Sequence, residues 1–83
     1  MQMTNIQVLI FAQSLILKVR NPEWELTRNA IPFRNQYKKA RGLSRNANAL
    51  VVLRDLRAVC EENNLTDIFD KAIEKYPDVL ARL

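Results

Sequence analysis

From Ile6 to Leu17 the chain is apolar at nearly every position, interrupted only by Gln7, Gln13 and Ser14. Thr4 and Gln7 stand at capping-box spacing ahead of this run. The pattern predicts a helix from Asn5 to about Val19 or Arg20, stopped by Asn21-Pro22. Gln7, Ser14 and Lys18 share one stripe, and a helix so apolar elsewhere is buried on most of its circumference. Two arrangements meet that demand. The helix is either the centre of the domain or a self-association seam, forming a homodimer through residues 5–20.

Beyond it, Asn21 is placed to cap a short second helix, with Pro22 first and Glu23 and Glu25 near its positive end. Pro32 breaks that helix near Ala30 and opens a third, which ends before Gly42, the only glycine of the chain. Phe33 and Tyr37 fall on one face of the third helix, and Arg34, Lys38 and Arg41 on another. Ser44 then caps the longest predicted helix, Arg45 to Glu62. Its Ala49, Val52, Leu53, Leu56, Val59 and Cys60 repeat at the spacing of a core-facing stripe, and Arg57 and Glu61 stand at pairing distance on its surface. Asn63-Asn64 ends it. Thr66 caps a last helix with Ile68, Phe69, Ala72, Ile73 and Tyr76 inward; Pro77 breaks it, and Asp78 to Leu83 add a further turn. No strand pattern or internal repeat interrupts this order. The predicted fold is all-α, a small bundle of four to five helices in a single domain over residues 1–83.

Length makes the core thin. A chain of 83 residues buries only about 60–65% of its unfolded surface, so dimerisation or docking on a partner is an ordinary way to cover more. A lone Cys60 excludes an internal disulfide and suits a reducing compartment. The apolar run at Ile6–Leu17 would span about 18 Å as a helix, against a bilayer core of about 30 Å. No basic residue precedes it as in a signal peptide. The expectation is a cytoplasmic protein without a membrane span, able to reach the inner-membrane face only through a partner.

Catalytic chemistry is sparse. With no histidine, the commonest general base and metal ligand is missing. One cysteine does not make a zinc site, and there is no glycine-rich phosphate loop. Glu61 and Glu62 point about 100° apart on a helix and form no dyad, nor do Glu23 and Glu25. These observations argue for a protein that is not an enzyme and uses neither cofactor nor metal. Cys60, on the apolar stripe, reads as a small buried hydrophobe.

Charge is more telling. Between Leu26 and Arg54 stand seven basic residues (Arg28, Arg34, Lys38, Lys39, Arg41, Arg45 and Arg54) and no acid. Residues 1–25 are neutral, and residues 55–83 sum to −3, with seven acids against four bases. Segregation on this scale leaves a local positive field that points to an anionic partner. Placed on helices, Arg34, Lys38, Lys39, Arg41 and Arg45 gather around the Gly42 junction. A patch of about five charges suits docking to an acidic protein surface better than tracking a duplex. Anionic lipid is a further alternative. Trp24 is read as an interface anchor beside this patch, while Phe33 and Tyr37 serve either as core or as stacking platforms.

Two resemblances bear on function. The stretch Ala40-Arg41-Gly42-Leu43-Ser44 is similar to the junction after the first helix of lambda-repressor-like helix-turn-helix domains. The match covers about a dozen residues from Arg34 and stops, because Asn46 to Glu62 reads as one long helix without a turn. It implies no base-reading residues here. The chain as a whole resembles the small regulatory proteins of T4-type bacteriophages, the lysis-inhibition accessory proteins above all. The segments FAQSLILK (11–18) and NPEWELTRNAIPFRNQYKK (21–39) carry that resemblance. It implies binding to the cytoplasmic segment of a holin, acting with the antiholin to delay host lysis, and no catalytic residues. A DNA-binding regulator and an inhibitor of a host transcription factor are the alternatives.

Overall fold

The computed structural model describes residues 2–83, in which five helices and no strand occur. They are α1 (Asn5–Arg20), α2 (Ala30–Arg41), α3 (Ala49–Glu62), α4 (Thr66–Ile73) and α5 (Pro77–Leu80). The molecule is a small all-α bundle. Its core is one contiguous cluster, and α1 lies at its centre, packed against all four other helices.

The predicted capping box opens α1: the Gln7 N–H donates to Thr4 Oγ1 at 3.1 Å, and the Thr4 N–H donates to Gln7 Oε1 at 2.9 Å. Val8, Phe11, Ala12, Leu15 and Ile16 turn inward and are buried. The opposite side is not covered: Ile6, Ile10 and Leu17 are exposed. No helix among the described residues is long and apolar enough to cross a membrane.

The short helix expected after Asn21-Pro22 does not form. Lys18 reaches down from α1 and its ammonium donates to the carbonyls of Pro22 and Trp24. A helix would need those carbonyls for its own ladder. The Asn21 carbonyl accepts the Trp24 N–H, its side chain accepts the Glu23 N–H, and buried Leu26 pins the loop to the core. α2 then starts at Ala30, two residues before Pro32, because Thr27 provides the first acceptors, for the Ala30 and Ile31 N–H groups. Pro32 sits in the first turn, where its missing N–H leaves nothing unsatisfied.

Gly42 ends α2 as expected, in the left-handed conformation at φ 67°. The Gly42 N–H donates to the Lys39 carbonyl and that of Leu43 to Lys38, a Schellman closure that glycine permits at least strain. Ser44 does not cap α3. Its hydroxyl accepts the Asn46 N–H and its carbonyl the Ala47 N–H, forming a turn that delays the helix by four residues. Asn48, in extended conformation, is the cap, its Oδ1 accepting the Val51 N–H at 3.0 Å. That leaves α1, not α3, the longest helix.

Inward α3 follows the predicted stripe: Val52, Leu53, Leu56, Val59 and Cys60 are buried, with Ala49 partly so. Burial pushes the Cys60 thiol up to about 11, in keeping with a packed hydrophobe. Asn64 closes α3 at φ 58°, with the Leu65 N–H donating to the Cys60 carbonyl. That bond draws Leu65 into the N-cap place of α4, so Thr66 is its first residue and not its cap. Phe69, Ala72 and Ile73 are buried from α4, Ile68 and Tyr76 partly. Pro77 opens α5, whose single turn buries Val79.

Candidate functional site

The residues proposed from sequence for partner binding separate into three groups once folded. Arg41 is neutralised: its Nε and Nη2 donate to the two oxygens of Asp55 at 3.0 and 3.2 Å. The same carboxylate accepts the hydroxyl of Tyr37 at 2.6 Å. Tyr37 is fully buried, and Phe11 packs against both it and Phe33 with ring centroids 5.0 Å apart. Tyr37 is therefore core and no platform for a base. Burial would raise the Asp55 carboxyl, but hydrogen bonds from Arg41 and Tyr37 outweigh it and hold the group below the usual carboxylate range.

Lys39 and Arg45 are solvent-exposed, and neither side chain forms a salt bridge among the described residues. The Arg45 carbonyl accepts the Lys38 ammonium at 3.0 Å, which holds the 43–48 turn against α2. Trp24 is half-buried on the loop that Lys18 holds.

Arg34 and Lys38 form the third group, and they line a cleft of about 340 Å³. The cleft opens between the C-terminal half of α1, the middle of α2 and the first turn of α3. Leu15, Leu26 and Val52 give it apolar walls, and two cations that sequence reasoning overlooked, Lys18 and Arg82, complete its rim. No acidic residue lines it. Lys18 and Arg82 are 16 and 48 residues from Arg34 in the chain, and no local pattern signals their approach.

The electrostatics of this cleft are unbalanced. Arg34 and Lys38 are like charges one helical turn apart, a pairing that costs a helix a few tenths of a kcal/mol. Burial, then repulsion from Arg34, lowers the Lys38 ammonium pKa below its ordinary value. The Arg34 Nε is buried without a hydrogen-bond partner. The first turn of α3 borders the same space with Asn48, Ala49 and Leu50. The N–H groups of Ala49 and Leu50 have no intrahelical acceptor there, and the positive end of the helix dipole adds to the field. Apolar walls focus that field by excluding water. The arrangement is suited to accept an anionic group attached to an apolar one.

The C-terminal acids do not close over the cleft. The salt bridges of the described residues are Arg20–Asp78 at 3.2 Å, Arg41–Asp55 and Arg57–Glu61 at 3.8 Å. None reaches a cation of the cleft. No group of three potential metal ligands occurs among the described residues. Neither protein-family models, nor curated proteins, nor solved structures yield a match to this chain.

Proposed function

We propose that this chain is a non-enzymatic regulatory protein that acts in the cytoplasm by binding another protein, whose acidic segment enters the cleft between α1, α2 and α3. The observation that carries the proposal is the composition of the cleft. Arg34, Lys38, Lys18 and Arg82 surround an apolar floor with no acid to answer them. A small anion would meet the charge but leave Leu15, Leu26 and Val52 uncovered. An acidic side chain next to an apolar one, on a peptide segment, meets both. The resemblance to lysis-inhibition accessory proteins of T4-type bacteriophages makes the cytoplasmic segment of a holin the first partner to test, with delayed host lysis as the consequence.

Trp24 offers a direct readout. It is the only tryptophan, and it sits between Pro22 and Leu26, both of which line the cleft. Titration with the holin segment should change Trp24 fluorescence and saturate. Lys38→Glu, inside the cleft, should weaken binding by about tenfold or more, equivalent to about 1.4 kcal/mol. Lys39→Glu, outside it, should change affinity far less, and both variants should keep the helical circular dichroism spectrum. Equal losses in the two variants would remove the cleft from the interface. Binding of duplex DNA at low salt, with none to the acidic segment, would replace this reading by the nucleic-acid one.

A further inference from the structure

On the outer side of α1, Ile6, Ile10, Gln13 and Leu17 are exposed. Their separations of four, three and four residues are those of the seam along which one helix packs against another. Ile6 is 69% and Ile10 55% exposed, large values for isoleucine in a chain whose other large apolar residues are mostly buried. Beside the stripe an apolar groove of about 170 Å³ runs between α1 and the start of α2, with Ile10, Phe11, Ala30 and Phe33 at its base. Its remaining lining residues are uncharged, and it shares none with the cation-lined cleft.

We infer that this face is the interface of a weak homodimer, in which α1 packs antiparallel against α1 of a second copy. Three observations choose a second copy as the occupant. First, a two-fold interface sets a patch against itself, so a patch carrying net charge of one sign would repel its own copy. Residues 2–17 carry no charge, in a molecule of net charge +4. Second, the charges at the end of α1 are already engaged within the chain. Arg20 is held by Asp78 and lies over the Tyr76 ring at 5.2 Å, and Lys18 is bound to the loop carbonyls. An antiparallel arrangement also keeps the two Arg20 side chains at opposite ends of the seam. Third, the ends of the stripe are self-complementary in that register: Ile6 meets the second copy's Leu17 at both ends of the seam, and Gln13 falls opposite Ile10 near its middle.

From Ile6 to Leu17 the seam is only about 16 Å long. A seam this short sets the dimer among the weak, small interfaces. The dimer is therefore concentration-dependent. Gln13 is the one polar residue of the stripe, a position that fixes register at the expense of stability.

Sedimentation equilibrium over a concentration range of about 1 µM to 1 mM, which spans micromolar to millimolar dissociation constants, tests the inference on the full chain. The average mass of the wild type should rise towards twice that of the monomer. Ile10→Glu should stay monomeric at every concentration with an unchanged circular dichroism spectrum, since Ile10 contributes little to the core. Gln13→Leu should move the midpoint to at least severalfold lower concentration. A wild type that remains monomeric throughout overturns the inference. So does a dimer that Ile10→Glu leaves intact or that Gln13→Leu fails to tighten. None of these readouts depends on whether an acidic partner binds the cleft.

Discussion

Asp55 joins two residues that the sequence keeps 18 and 14 positions away, Tyr37 and Arg41. Its carboxylate lets a fully buried tyrosine keep its hydroxyl without an unmet donor, and it turns one cation of the basic stretch inward. Asp55→Ala should therefore cost about 1–3 kcal/mol, the range for stranding a buried hydrogen-bonding group. Tyr37→Phe combined with Asp55→Ala should cost less than the sum of the two, because the stranded group is gone. Urea denaturation measures both. Because the Asp55 carboxyl is held below its ordinary range in the fold, it contributes stability above its unfolded pKa, about 3.9. That contribution is lost as pH falls through the lower, folded value. The gap between wild type and Asp55→Ala should accordingly narrow below about pH 4. Residue type and helical phase placed Arg34, Lys38 and Arg41 on one side of α2. Which of them stays free depended on where an acid from α3 would land.

At the scale of elements, the helices with a clear apolar stripe formed where periodicity placed them, while the short helix after Pro22 did not form and the starts of α3 and α4 moved. The α1 capping box, the Gly42 stop and the α3 stripe are local patterns and were legible. The failures share one cause, competition for backbone carbonyls and N–H groups from side chains nearby. Lys18 takes the acceptors that a helix after Pro22 would use, and Ser44 spends its oxygens on a turn, passing the cap to Asn48. Asn48→Ala should thus destabilise the protein by about 1 kcal/mol. Ser44→Ala, in an exposed turn, should stay within about 0.5 kcal/mol. Thermal or urea unfolding of the pair distinguishes the two caps directly.

For the whole molecule, the basic block of the sequence does not become one continuous surface. The basic stretch divides among a neutralised Arg41, exposed Lys39 and Arg45, and the cleft pair Arg34 and Lys38. The acid-rich end leaves the cleft open. Binding of an acidic segment should therefore weaken as salt rises, because exposed cations are screened beyond about 8 Å at physiological ionic strength. It should not vanish, since the apolar floor is insensitive to salt. A Trp24 fluorescence titration at low and high salt gives the slope, and Lys38→Glu should flatten it. The apolar face of α1 is independent of this field and is expected to associate through burial alone.

By itself the sequence determined the all-α class, the order of the helices, and which faces of α1, α3 and α4 turn inward. Those properties rest on spacing within one or two turns, which hydrophobic burial reads locally. Only the tertiary structure decided that α1 is central and yet bare on one side, that Lys18 holds a loop where a helix was expected, and that Arg82 joins Arg34 and Lys38 around a cleft. Each of these depends on which distant groups meet when the helices pack. The chain order of charges carries no record of that meeting.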